Sequence, residues 1–199
     1  MEEGAAALSA AGAPHSLRIL ELGQNGGKGA AIRAGWRAAP QATRWLGFVD
    51  ADGAVPAREV WRFVGLLPEL DVALLAGARI RMAGHVVRRN LLRHLQGRVF
   101  ATLAEQLIPN GFYDTQCGLK FVASGLVRPG LEGFREDRWL FDLELISYVR
   151  GVGARCIEHA IDWSDPGGSK VRPLVDPLRM AWGLWCLRRR LRTAVAAPL

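Results

Sequence analysis

The chain has 199 residues, with 26 lysines and arginines against 19 acids, half of the residues apolar and 23% charged. That length excludes two large domains, and that apolar content excludes a disordered chain. The formal net charge of +7 favours anionic partners such as phosphates, an anionic membrane surface or nucleic acid.

Cys117, Cys156 and Cys186 are odd in number and far apart, so they form neither a disulfide framework nor a Cys-x-x-Cys metal knuckle, and a reducing compartment is expected. No window of about 18 uninterrupted apolar residues exists, and Met1 to Pro14 carries Glu2 and Glu3 where a signal peptide needs a basic start. Neither secretion nor a membrane span is expected.

Met1 to Ser16 is small and unpatterned, an unstructured or helical lead. Leu17 to Leu22 then alternates apolar with charged residues and predicts a half-buried strand. Gln24 to Gly29 is a Gly-rich turn, and Ala30 to Trp36 reads as the helix that leaves it. Trp45 to Val49 is a short apolar run that predicts a buried strand ending at Asp50. Pro56 suits the first turn of a helix carrying Val60, Phe63, Val64 and Leu67 on one side. Val72 to Ala76 predicts another buried strand, and the alternation of strand and helix argues for an α/β layer with a mostly parallel sheet.

From His85 to Ile108, leucines and valines recur every fourth residue, with Arg89 and Arg93 also four apart, which predicts one long helix. A polar loop follows Asn110-Gly111 and runs through Lys120. Phe141 to Val149 reads as a helix, Arg155 to Trp163 as a strand, and Pro166 to Lys170 as a flexible loop. Leu174 to Val195 mixes Trp182, Trp185 and leucines with Arg179, Arg188, Arg189, Arg190 and Arg192. Such a stretch reads as a basic amphipathic helix lying on a membrane surface, or as an ordinary helix with its tryptophans packed on the sheet.

Several motifs can carry chemistry, and each has a plain structural reading beside it. Asp50-Ala51-Asp52-Gly53 follows a buried strand, where alternate acids can direct oxygens at one hard cation or form a solvated Asp-Gly turn. Asn25 to Gly29 puts three glycines and Lys28 at a strand-to-helix turn, where free N–H groups and an ammonium can bind phosphate. It matches neither a Walker A loop nor a dinucleotide fingerprint.

Asp114 to Lys120 is a polar string without periodicity, of the kind that carries function on loops or forms a surface turn. Asp142 and Glu144 open a helix, where they stabilise its dipole with or without a chemical role. Arg79, Arg88, Arg89 and Arg93 are a solvated face or a phosphate clamp. His15, His85, His94 and His159 show no ligand spacing and read as incidental.

Asn25 to Gly29, Asp50 to Gly53, Gly77-Ala78-Arg79, Asp114 to Lys120, Phe141-Asp142-Leu143-Glu144 and Ser169-Lys170-Val171, taken in that order, resemble the family 2 glycosyltransferases. The likeness is to their dolichyl-phosphate or polyprenyl-phosphate glucosyltransferase branch and covers about Leu17 to Val171.

The resemblance implies a GT-A-like α/β domain over residues 17–171, with a mixed sheet flanked by helices; the residues after it, 172–199, read as the basic amphipathic C-terminal helix. It implies a membrane-peripheral enzyme on the cytosolic face that moves a hexose with inversion. The implied donor is a nucleotide diphosphate sugar, UDP-glucose in the first place, the acceptor a polyprenyl or dolichyl phosphate, and the cofactor Mg²⁺ or Mn²⁺. Nucleic acid is not an implied partner.

Carried over residue by residue, the resemblance makes Asp50 and Asp52 the metal site, with Lys28, Asp50, Ser169 and Lys170 around the donor phosphates. It puts Arg79 and Arg89 at the acceptor phosphate, and Asp114 and Asp142 at the reaction centre. Gly77-Ala78-Arg79 departs from the family's Gly-Ser-Arg.

The family's Pro-x-Tyr-Asn-Glu and Asp-Asp-Gly-Ser strands have no counterpart in these residues, so the chain resembles a member without its first strand, first helix and second strand. Poor or no catalysis by residues 1–199 alone is the expectation. Two rival readings are a sugar nucleotidyltransferase and an inactive family fragment that binds a membrane surface or anions.

Overall fold

In the computed structural model, residues 17–88, 98, 101–165 and 176–196 are described, with side chains in the last helix described over 181–191. The helices are α1 (Lys28–Ala38), α2 (Ala57–Leu66), α3 (101–107), the single turn α4 (Ser124–Val127), α5 (Phe141–Gly151) and α6 (Asp176–Ala196). The strands are β1 (Trp45–Val49), β2 (Leu74–Ala78), β3 (Val87–Arg88), β4 (Leu119–Ala123), β5 (Cys156–Ala160) and β6 (Trp163–Ser164).

A four-stranded sheet runs in the order β1-β4-β2-β5, and β3 pairs with β6 in a small parallel ribbon. Strand β4 is antiparallel to both β1 and β2, whereas β2 and β5 are parallel. The sheet is therefore mixed rather than mostly parallel, because residues 119–123, expected to end a loop, insert as an antiparallel strand between β1 and β2.

Alternation along the strands supplies the two faces. Leu46, Leu74, Ala76 and Val122 meet Trp36 of α1 and Phe141, Leu145, Ile146 and Val149 of α5 in one cluster. Leu75 and Leu119 meet Phe63 of α2 and Leu67 just after it, with Cys117 and Ile161, in a second cluster on the other face. A third cluster joins Ala104 and Ile108, Leu140 and Leu143, and Leu184 and Leu187 of α6.

Three sequence expectations change. Leu17 to Leu22 forms no strand, and Leu17, Ile19, Leu20 and Leu22 are all exposed. Alternation specifies a strand only where a sheet edge pairs with it, and among the described residues none does. The helix expected from His85 does not begin there, since Val87–Arg88 is drawn into the ribbon with β6; residues 89–97 lie outside the described residues. The strand expected over Arg155 to Trp163 breaks at Ile161-Asp162, and its last residue changes sheets.

Candidate active site

The carboxyl ends of β1 and β2 and the first turn of α5 meet around a chain of charges. Register pairs Phe48 with Lys120, and Lys120 is on the face covered by α1 and α5 because it alternates with Leu119 and Phe121 on the α2 side. Its side chain is 1% exposed, an unusual place for a lysine. It donates to Asp142 Oδ1 and to the carbonyl of Cys117, both at 2.6 Å.

Asp142, wholly buried in the first turn of α5, has its other oxygen 2.9 Å from Lys28 Nζ. Lys28 Nζ is also 3.0 Å from Asp50 Oδ1. The run Asp50–Lys28–Asp142–Lys120 thus alternates in sign, which is what allows such charges to leave water together. Burial disfavours the Lys28 ammonium, but Asp142 and then Asp50 outweigh it and raise its pKa above the usual lysine value. The Phe48 ring lies near both cations, 5.0 Å from Lys28 Nζ and 5.6 Å from Lys120 Nζ.

The glycines of two motifs acquire specific reasons. The Asp50 N–H donates to the Gly118 carbonyl, and a Cβ on Gly118 would overlap the Asp50 carboxylate. In the Gly-rich turn, Gly27 takes φ 97°, and a Cβ there or on Gly29 would strike the backbone of residues 136–137.

That packing also engages three of the expected phosphate donors. The N–H groups of Gly29 and Ala30 donate to the Asp137 carbonyl and that of Gly27 to Asn25 Oδ1. The turn is therefore a packing joint, and the group it contributes to the charge network is the Lys28 ammonium.

At the end of β2, Arg79 forks onto Asp114: Nε donates to Oδ2 at 2.6 Å, Nη2 to Oδ1 at 2.7 Å, and the Arg79 backbone N–H to Oδ2 at 2.9 Å. Burial opposes ionisation of Asp114, but Arg79 prevails and holds its carboxyl below the usual range. Glu158 of β5 in turn accepts the N–H groups of Tyr113 and Asp114, fixing the loop from the opposite side. Burial, then the Asp114 charge, pushes the Cys117 thiol up to about 12, so it is no thiolate nucleophile. Glu158, Phe48 and the buried setting of Lys120 carry no sequence signal, because each depends on which strands become neighbours.

Asp50 and Asp52 sit on the turn after β1. Asp52 is exposed, and its Oδ1 accepts the Ala54 N–H. Their oxygens are hard donors of the kind Mg²⁺ or Mn²⁺ takes, so the residues fit the implied cation. Arg89, Ser169 and Lys170 lie outside the described residues.

Helix α6 buries Leu184 and Leu187 and leaves Trp182 and Trp185 exposed, stacked at 4.9 Å, with Arg189 over the Trp185 ring at 4.8 Å. The tryptophans do not pack on the sheet. Arg190 is drawn inward to Glu136. Among the described residues, no helix is long and apolar enough to cross a membrane.

A mixed sheet lies between helices, with acids on the turn after one strand and the cations Lys28 and Lys120 behind them. The family model for glycosyl transferase family 2 matches residues 2–124, and the chain belongs to that family.

Among its relatives, the dolichyl-phosphate beta-glucosyltransferase of Dictyostelium discoideum is 28% identical over 180 residues, covering 88% of this chain and 54% of that protein. The human protein of the same name is 30% identical over 183 residues, covering 89% and 56%. The chain spans about half the length of the curated relatives it matches.

Of solved structures, Mycobacterium tuberculosis glucosyl-3-phosphoglycerate synthase in complex with phosphoglyceric acid superposes with a TM-score of 0.56 at 15% identity, over 92% of this chain and 58% of that one. Its complex with uridine diphosphate gives 0.52 at 14% identity, with the same coverage. The fold is the GT-A arrangement.

Proposed function

We propose that this chain carries the donor site and reaction centre of a hexosyltransferase that moves glucose, with inversion, from UDP-glucose to a polyprenyl or dolichyl phosphate. One observation carries this reading. Lys28, bound to both Asp50 and Asp142, joins the Gly-rich turn, the Asp-x-Asp turn and the head of α5 into one site, and Lys120 adds the Asp114 to Lys120 string. The names of the relatives supply the glucose and the lipid phosphate.

Asp50 and Asp52 would hold Mg²⁺ or Mn²⁺, which when bound neutralises charge on the leaving diphosphate. Lys28 aims its ammonium beside that diphosphate, and Asp142, out of reach of solvent, keeps Lys28 charged and oriented. Asp142 is then a positioning residue and not a proton acceptor. Asp114 is likewise unsuited to be a base, since a carboxylate clamped by Arg79 holds its proton poorly. None is required, because a phosphate monoester loses its second proton near pH ~6 and attacks as an anion.

Arg79 spends its fork on Asp114, so direct contact with the acceptor phosphate is assigned to Arg89, with Ser169 and Lys170 closing over the donor. The exposed Trp182–Trp185 pair and the arginines around it hold α6 on the cytosolic membrane face, where the lipid phosphate head lies.

The test follows products. Residues 1–199, and the longest reading frame that contains them, are incubated with labelled UDP-glucose and polyprenyl phosphate. Lipid-linked glucose with release of UDP supports the proposal. Pyrophosphate release from a nucleoside triphosphate would mark a sugar nucleotidyltransferase, and no turnover by either polypeptide would mark an inactive binding fragment.

A further inference from the structure

On elements apart from the Asp50–Asp52 turn, Glu59 of α2, His85 ahead of β3 and Asp162 between β5 and β6 bring one ligand atom each within 4.8 Å of the others. Glu59 is buried, and His85 and Asp162 are partly so. His85 Nδ1 is itself out of contact with solvent and has no hydrogen-bond partner, and it points to Asp162 Oδ1 at 3.5 Å. A buried ring nitrogen without a hydrogen bond is costly unless another group satisfies it, and a cation bound between His85 and Asp162 would do so.

Both carboxylates also take other contacts. Arg58 holds Asp162 Oδ2 at 2.8 Å, Arg62 holds Glu59 Oε2, and the Val86 N–H donates to Asp162 Oδ1 at 2.8 Å. His159 faces the same group through Arg62 at 3.3 Å. These contacts orient both carboxylates from outside, as supporting residues do around metal ligands. Two ligands each ~2.0–2.1 Å from a tetrahedral ion lie about 3.4 Å apart, close to the His85–Asp162 spacing.

We propose that Glu59, His85 and Asp162 form a binding site for a Zn²⁺-like divalent cation, separate from the donor site. One imidazole with two carboxylates suits such an ion, whereas the all-oxygen Asp50–Asp52 pair suits Mg²⁺ or Mn²⁺. The bound ion pins α2, the segment entering β3 and the β5–β6 turn together, and so acts as a structural clip.

The experiment is calorimetric titration of Zn²⁺ into chelator-stripped protein with excess Mg²⁺ present, followed by Co²⁺ substitution read from its visible absorption. One-to-one binding tighter than millimolar is expected, weakened on the order of 100-fold in His85→Ala and in Asp162→Asn, and retained in Asp52→Asn. If His85→Ala fails to fold, Asp162→Asn, which keeps an oxygen for the Val86 N–H, decides. No one-to-one binding, binding indifferent to both changes, or binding lost instead in Asp52→Asn would overturn the proposal.

Discussion

The ammonium of Lys120 and the carboxylate of Asp142 are 2.6 Å apart, one on the central antiparallel strand and the other on the first turn of α5, and neither reaches solvent. This pair fixes α5 to the sheet at the point where Lys28 and Asp50 join it.

Breaking a buried pair costs up to about 3–5 kcal/mol, and removing Lys120 leaves Asp142 with Lys28 as its remaining cation. Lys120→Met is therefore expected to lower the denaturant midpoint sharply. Double replacement by Lys120→Met and Asp142→Leu should recover part of the loss, although Lys28 then loses one anion. An unchanged midpoint in the single variant would show that the pair carries no such weight.

Gly118→Ala should act on the site more than on the core. Its Cβ would displace the Asp50 carboxylate, so Mn²⁺ affinity read by electron paramagnetic resonance should fall while the far-ultraviolet circular dichroism spectrum stays. Overpacking adds a destabilisation of about 1–3 kcal/mol. Equal Mn²⁺ affinity in the variant would separate Asp50 from the cation.

The Arg79–Asp114 fork gives stability a definite pH dependence. The folded carboxyl has a lowered pKa, so its contribution is fully present above the unfolded value near ~3.9 and is lost as pH falls from there through the folded value. Asp114→Asn should flatten the acid limb of the stability profile below about pH 4. An acid limb identical to that of the unmodified chain would contradict the assignment.

Much of this site was legible because it is local. The Asp-x-Asp turn follows an apolar run whose boundaries, Trp45 to Val49, are those observed for β1, and Pro56 marks the start of α2, standing at its N-cap one residue before the first turn. What escaped is nonlocal. Lys120 reads as loop because a lysine inside a strand is explained only by an acid from another element, here 22 residues away. The Gly-rich turn has the composition of a phosphate cradle, and only the approach of residues 136–137 reveals that the N–H groups of Gly29 and Ala30 are already engaged.

Vesicle sedimentation addresses α6. Residues 1–199 should pellet with anionic vesicles at low salt and be released at high salt, since each arginine near such a surface contributes on the order of 1 kcal/mol and is screened. Trp182→Ala with Trp185→Ala should reduce binding without unfolding, because both rings are exposed. Residues 1–171 remaining bound as well as the whole chain would place the contact elsewhere.

The acid pair on the turn after β1 is the centre of the account, and glucose transfer to polyprenyl phosphate in Asp52→Ala tests it most directly. Measured in Mn²⁺ with the longest reading frame that contains the chain, turnover should fall by about 10²–10³ or more, because the leaving diphosphate loses its counter-charge. Turnover equal to that of the unmodified enzyme would contradict the account and leave Asp50 and Asp52 as a solvated turn.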